Sequence, residues 1–302
     1  MIDRIIKNLF EFEAPDSLGT KIQLRAFEVF TFIYLMIYAW EWAFYIPRLS
    51  TVVLPLGLAN YIDISFFFNN NISVYNAVLI TLFSVYPLLI KKQRWLYAIA
   101  AFLFHLQYVA RFSQGEIPHS ANLVGFSILA LGLGAVFFRD KSIRHQLIFA
   151  FGFILFYLGL GYTTAAFSKL IATGITWVDG KHLWLWVGEK HIDILSKYGE
   201  FQLNWLQELA LSSKGIATSV LLFGLFSEFF GFMVWFKKFR WAEIVLLIGL
   251  HIGIDLTMNI FFAAFTYQLI LMGFPWNRWI NRLPSSQNLN KNEFLNHWIL
   301  FK

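Results

Sequence analysis

Apolar runs of about 18 or more residues recur along this chain, each long enough to cross a bilayer core of about 30 Å. That repetition predicts an all-α polytopic integral membrane protein, a bundle of about eight transmembrane helices whose first partner is the lipid bilayer. Charge content agrees. Only 14% of the 302 residues are Asp, Glu, Lys or Arg, and mean hydropathy is +0.59, where a soluble domain carries about 25% charged residues. The sequence has no cysteine, which removes disulfides, thiol catalysis and thiolate metal sites. The net charge of +6 collects at the ends of the apolar runs with no aromatic-interleaved patch. It reads as a topological signal and gives no indication of nucleic acid.

The expected spans run about 26–46, 73–90, 95–110, 121–138, 146–168, 216–236, 241–257 and 260–274. They form a transmembrane domain over 26–282, with a long loop at 169–215. Residues 1–25 form an N-terminal segment that can lie amphipathically on the membrane, and 283–302 form a polar tail. Acidic and basic residues interrupt the apolar stretches near the N-terminus and no small-residue cleavage site follows, so the first span is expected to be retained. Lys and Arg alternate between the connecting segments: Arg4, Lys7, Lys21 and Arg25, then Arg48; Lys91, Lys92 and Arg94, then Arg111; then Arg139, Lys141 and Arg144. The positive-inside rule puts both termini and the basic loops in the cytoplasm, and loops 47–72, 111–120 and 169–215 outside. The run 241–274 is too long for one crossing, and its likeliest break is Asp255 to Asn259. Trp184, Trp186 and Trp205 in the long loop suggest helices lying along the membrane face.

Ionisable residues inside spans are costly and mark candidate functional positions. At 1.5 Å per residue, His105, Glu228 and His251 each fall roughly 13–15 Å from the inner edge of their spans. They are expected to form one buried polar layer, with Asp255 one turn beyond His251. The layer serves either a proton relay or head-group pocket, or the interhelical hydrogen bonds that fix the bundle. Glu28 reads as an interfacial carboxylate reaching water, whereas Glu41, between Trp40 and Trp42, lies nearer the proposed outer site. His182 and His191 lack a third ligand at metal spacing, and no phosphate-binding or nucleophile-elbow motif occurs. Lys169 follows Ala165, Ala166 and Ser168 at the end of the fifth run. It is either a lysine snorkelling to the outer interface or a base in an apolar cavity, where desolvation disfavours the ammonium.

Several stretches together resemble the horizontally transferred transmembrane (HTTM) family, the membrane part of vitamin K-dependent gamma-carboxylases and their bacterial relatives. They are Lys169-Leu170 before Trp177-Val178-Asp179-Gly180, the segment from Leu250-His251 through Met258-Asn259 to Phe265-Thr266-Tyr267, His119-Ser120, and Trp276-Asn277-Arg278. The resemblance covers roughly 20–282. It implies a lysine base, Lys169, that deprotonates a reduced vitamin K or menaquinone, with no metal. Oxidation to the quinone epoxide then generates the base for glutamyl carboxylation. By the same resemblance His119 is a polar partner of the lysine. His251, Asp255, Trp177, Glu41 and Asn259 line or orient the quinone pocket, and a secreted peptide or protein is the substrate. The location implied is a bacterial inner membrane with Lys169 facing outside. The rival readings are a non-enzymatic accessory protein for maturation or export of a secreted peptide, as in SdpB-type relatives, and a small transporter.

Overall fold

A computed structural model describes residues 2–10, 17–48, 54–69, 71–114 and 119–283. The described residues form helices and no strand. In chain order these are α1 (Ile2–Phe10), α2 (Leu18–Tyr45), the short α3 (Phe66–Asn69), α4 (Ile72–Ile90), α5 (Leu96–Phe112), α6 (His119–Phe137) and α7 (Ile143–Thr173). Then come α8 (Gly180–Tyr198), α9 (Trp205–Ser212), α10 (Lys214–Phe229), α11 (Arg240–Met258), α12 (Ala263–Gly273) and α13 (Trp276–Arg282). Among the described residues, six segments are long and apolar enough to cross a membrane; they contain α2, α4, α6, α7, α10 and α11. The chain is an all-α polytopic membrane protein. The third and eighth expected spans correspond to the shorter apolar helices α5 and α12. At 11 residues, α12 is only about 16 Å long.

Packing divides the chain into two compact units, Met1–Leu9 with Leu155–Phe274, and Phe10–Ile154 with Pro275–Lys302. In the second, α2 packs on α4, α5, α6 and α13. Ser17 caps its N-terminus by accepting from the Thr20 N–H. Leu24, Phe27, Leu35, Ala39 and Trp42 fill its buried stripe. Gly132 of α6 lets that helix approach α5: a Cβ there would lie 2.6 Å from the Ala98 backbone N and Cα.

This unit also corrects the reading of Glu28. Its carboxylate is fully buried and does not reach water. It contacts the Arg25 guanidinium, lies 2.6 Å from Arg94 Nη1 and accepts from the Tyr97 hydroxyl at 2.8 Å. The cause is position: Glu28 shares a helix face with Leu24, Thr31 and Leu35, which is the face turned to α4 and α5. His105 departs from expectation in the opposite sense. The buried stripe of α5 runs Tyr97, Ala100, Ala101, Phe104 and Gln107. His105 falls off it, exposed, with its ring stacked on Tyr108.

In the first unit, α7 does not stop at Ser168. It continues through Lys169 to Thr173 and ends where Gly174 adopts φ +62, a left-handed conformation that glycine enters without a Cβ penalty. A 3-10 turn, Gly174–Val178, leads to Asp179. Asp179 caps α8 by accepting from the Lys181 N–H and pairs with Lys214 at 2.9 Å. The Lys181 N–H and the Lys214 ammonium hold this carboxyl below the usual aspartate range. The expected helices of the long loop are α8 and α9. The run 241–274 breaks after Met258, where Asn259 takes φ +51 and its N–H donates to the Asp255 carbonyl.

Candidate functional site

The site lies within the first unit, and four helices and a turn build it. In α7, Tyr162, Ala166 and Lys169 recur at helical spacing and share one face. Tyr162 and Ala166 on that face are buried. In α10, Ala217, Leu221, Gly224, Leu225 and Glu228 form the buried stripe. The two stripes bring Lys169 Nζ into contact with the Glu228 carboxylate. The side chains remain 29% and 10% exposed respectively, so the carboxylate is the more enclosed partner. Lys169 Nζ also lies 4.8 Å from the centre of the Trp177 ring, within range of a cation–π attraction. Trp177 packs on Trp186 of α8, and His182 Nδ1 lies 3.1 Å from the Trp177 carbonyl.

Lys169, Glu228 and Trp177 line a cavity of about 460 Å³. Its other walls are Leu183 and Trp186 of α8, Val220, Leu221 and Gly224 of α10, and Leu250, Gly253, Ile254 and Thr257 of α11. Glu189 and Lys190 of α8 also border it. A mostly apolar cavity with a few charged groups is the usual form of a site for an amphiphilic small molecule. The wall formed by α11 is braced from α9. Asn204 Nδ2 donates to the Leu256 carbonyl at 2.6 Å and Gln207 Nε2 to the Thr257 carbonyl at 3.1 Å. These side chains satisfy carbonyls that the end of a helix leaves without intrahelical partners.

The residues expected at the site are distributed unevenly. Lys169, Trp177 and Glu228 line the cavity. His251 does not. Its Nε2 shares a 2.6 Å hydrogen bond with the Tyr162 hydroxyl, and its ring packs against Phe262 and Phe265. Glu228 and His251 have separate hydrogen-bond partners, Lys169 and Tyr162. Asp255 is half-buried and Asn259 is exposed as the α11 cap; neither lines the cavity. Glu41 is exposed on α2 and His105 on α5, both in the other unit. His119 opens α6, and its side chain lies outside the described residues. Among the described residues no three His, Asp or Glu side chains gather as a metal site would need. Sequence reasoning did not pair Glu228 with Lys169, nor find Trp186, Glu189 and Lys190 at the cavity. The available signal was Glu228 itself, a carboxylate in an apolar run that requires a cation.

Comparison of the chain with family models, with curated proteins and with solved structures finds no match. The class is thus carried by the helices and their hydropathy, and the chemistry of the cavity carries the functional reading.

Proposed function

We propose that this protein is a carboxylase-like membrane enzyme that takes a reduced naphthoquinone, vitamin K or menaquinone, into the cavity and uses Lys169 as base. The observation that carries this reading is the Lys169–Glu228 pair set in the wall of a mostly apolar cavity. The residues present fit such a group. Leu183, Val220, Leu221, Leu250 and Ile254 offer apolar surface to the ring and isoprenoid tail, Trp177 and Trp186 offer ring faces, and the charged pair offers a hydrogen-bonding partner to a ring hydroxyl.

Bound there, the reduced quinone supplies the electrons with which oxygen is consumed and a strong base is generated. The chain's part is proton handling. Passing one proton from the Lys169 ammonium to the Glu228 carboxylate it contacts would leave Nζ a lone pair with which to accept the hydroxyl proton. Glu228 here takes the partner role that the family resemblance assigned to His119. Apolar walls exclude water and strengthen every charge interaction inside. The positive-inside pattern puts Lys169 on the outer side with both termini cytoplasmic, and the family resemblance implies a bacterial inner membrane. That is the side from which a secreted peptide would present its glutamates.

The test follows quinone epoxide from purified protein given reduced vitamin K or menaquinone under oxygen, with Lys169→Ala as control. Epoxide that depends on Lys169 is the expected result. Its absence from folded protein overturns the enzymatic reading and leaves the accessory role in peptide maturation or export.

A further inference from the structure

The chemistry proposed for the cavity leaves the Lys169–Glu228 pair with a proton to lose. An ammonium and a carboxylate hold one exchangeable proton between them; once the ring hydroxyl has given up its own, they hold a second. The walls beside them are mostly apolar, so the surplus proton needs a chain of exchangeable groups along which to leave. Three buried residues of the same unit, none of them a wall of the cavity, supply such groups.

Tyr162 lies on the α7 face that carries Lys169, about two turns nearer the helix N-terminus. Its hydroxyl shares the 2.6 Å hydrogen bond with His251 Nε2. The Glu228 and Glu243 carboxyl groups both lie within electrostatic reach of that hydroxyl. Glu243 belongs to the same buried stripe of α11 as Leu247, Leu250 and His251. It is 2% exposed, and its Oε1 has no hydrogen-bond partner among the described residues. His251 Nδ1 has none either, nor has Thr266 Oγ1 of α12, next to the Phe265 ring that packs on His251. A buried polar atom left without a partner is costly. Three such atoms on the packed pair α11 and α12 need partners that the described residues do not provide.

We infer that Tyr162, His251 and Glu243 form a proton route leading from Glu228 to the cytoplasmic end of α11. Glu228 gives its proton toward the Tyr162 oxygen as the Tyr162 O–H passes its own to His251 Nε2. The Nδ1–H releases a proton in turn, and the Glu243 carboxylate takes it up. One proton leaves Glu228, one arrives at Glu243, and the phenol and the imidazole end neutral. The segment from Glu243 to His251 rises about 12 Å. Water held by Nδ1, Thr266 and Glu243 spans that distance, as buried water does between otherwise unpartnered polar groups. Glu243 sits in the first turn of α11, directly after Lys237, Lys238 and Arg240, a segment that the charge rule turns to the cytoplasm. The route rests on the base role of Lys169 for the source of its proton.

Two measurements test it. Dicyclohexylcarbodiimide is an apolar reagent that modifies carboxyl groups in their protonated form. It should label Glu243 in the purified protein, mapped by peptide mass spectrometry, and leave the exposed Glu200 unlabelled. In proteoliposomes holding a pH dye, an acid step outside should acidify the lumen through the parent protein. Glu243→Gln and Tyr162→Phe should each slow that protein-dependent flux about a hundred-fold, the lower end of what a positioned proton-transfer group contributes. An unlabelled Glu243, no protein-dependent flux in the parent, or an unchanged flux in either variant overturns the route. Labelling requires no variant, so it reads the buried acid even if Glu243→Gln folds poorly. Glu243-dependent flux without quinone epoxide overturns the quinone reading alone. Epoxide formed by Glu243→Gln at the parental rate over many turnovers overturns the route alone.

Discussion

Removing the two partners of the Lys169–Glu228 pair one at a time should have unequal effects. A fully buried pair that loses one member costs about 3–5 kcal/mol, and an exposed pair about 0–1 kcal/mol. The side-chain exposures of 29% for Lys169 and 10% for Glu228 place each partner differently between those limits. In Glu228→Gln the ammonium keeps the Trp177 face at 4.8 Å and a four-carbon stem with which to reach water. The expected loss is about 1–2 kcal/mol. In Lys169→Met the carboxylate remains enclosed, with no second cation at ion-pair distance among the described residues, and the expected loss is about 2–4 kcal/mol. The double variant leaves no unpaired charge and should lie near the parent, a coupling of about 3–6 kcal/mol. Denaturant unfolding in one detergent, followed by circular dichroism, reads all four corners of the cycle. Additive single losses, or a larger loss for Glu228→Gln than for Lys169→Met, would refute the pairing argument.

Two further outcomes rest on geometry elsewhere. Alanine exceeds glycine in a helix interior by about 1 kcal/mol, and nothing lies within 4 Å of a Cβ at Gly161, so Gly161→Ala should raise the unfolding midpoint. A Cβ at Gly132 meets the Ala98 backbone at 2.6 Å, which cannot swing aside, so Gly132→Ala should lose about 1–3 kcal/mol; shifts of the same sign would contradict this. Asp179 has a folded-state pKa below its unfolded value because of the Lys181 N–H and Lys214. Its contribution to stability is therefore present above the ordinary aspartate range and lost as pH falls through the lowered value. Asp179→Asn should flatten that acid limb of the stability profile, and an unaltered limb would show that the cap and the Lys214 pair contribute nothing.

What was legible in the sequence is what depends on short range. Apolar length foretold the helices, though α2 begins at Leu18 rather than near 26 and α10 ends at Phe229 rather than near 236. The long run 241–274 was correctly expected to break near Asp255 to Asn259, because polar residues there offer a stop that Asn259 takes as a left-handed cap. The end of α7 was not legible. Lys169 looks like a boundary by polarity, yet Leu170, Ile171 and Ala172 continue the helix until Gly174 ends it. Helix faces were harder still. Glu28 and His105 were assigned by depth along a span, a one-dimensional coordinate. Their environments are set by rotation about the helix axis, which places Glu28 on the packed face of α2 and His105 off the packed face of α5. The Lys169–Glu228 contact spans 59 positions, and no local pattern specifies a pair at that separation.

The cavity can be characterised by a quantity that the sequence alone did not supply, the net charge of an ion pair once its partners are known. Lys169 with Glu228 sums to zero and borders a cavity with apolar walls. An anion would face Glu228 there and a cation would face Lys169, so the pair favours an uncharged molecule that can give or take a proton, as a ring hydroxyl does. A second cation beside Glu228 would instead make the cavity an anion site. The preference of the cavity is thus set less by which ionisable residues are present than by how many of each sign the folded helices bring together.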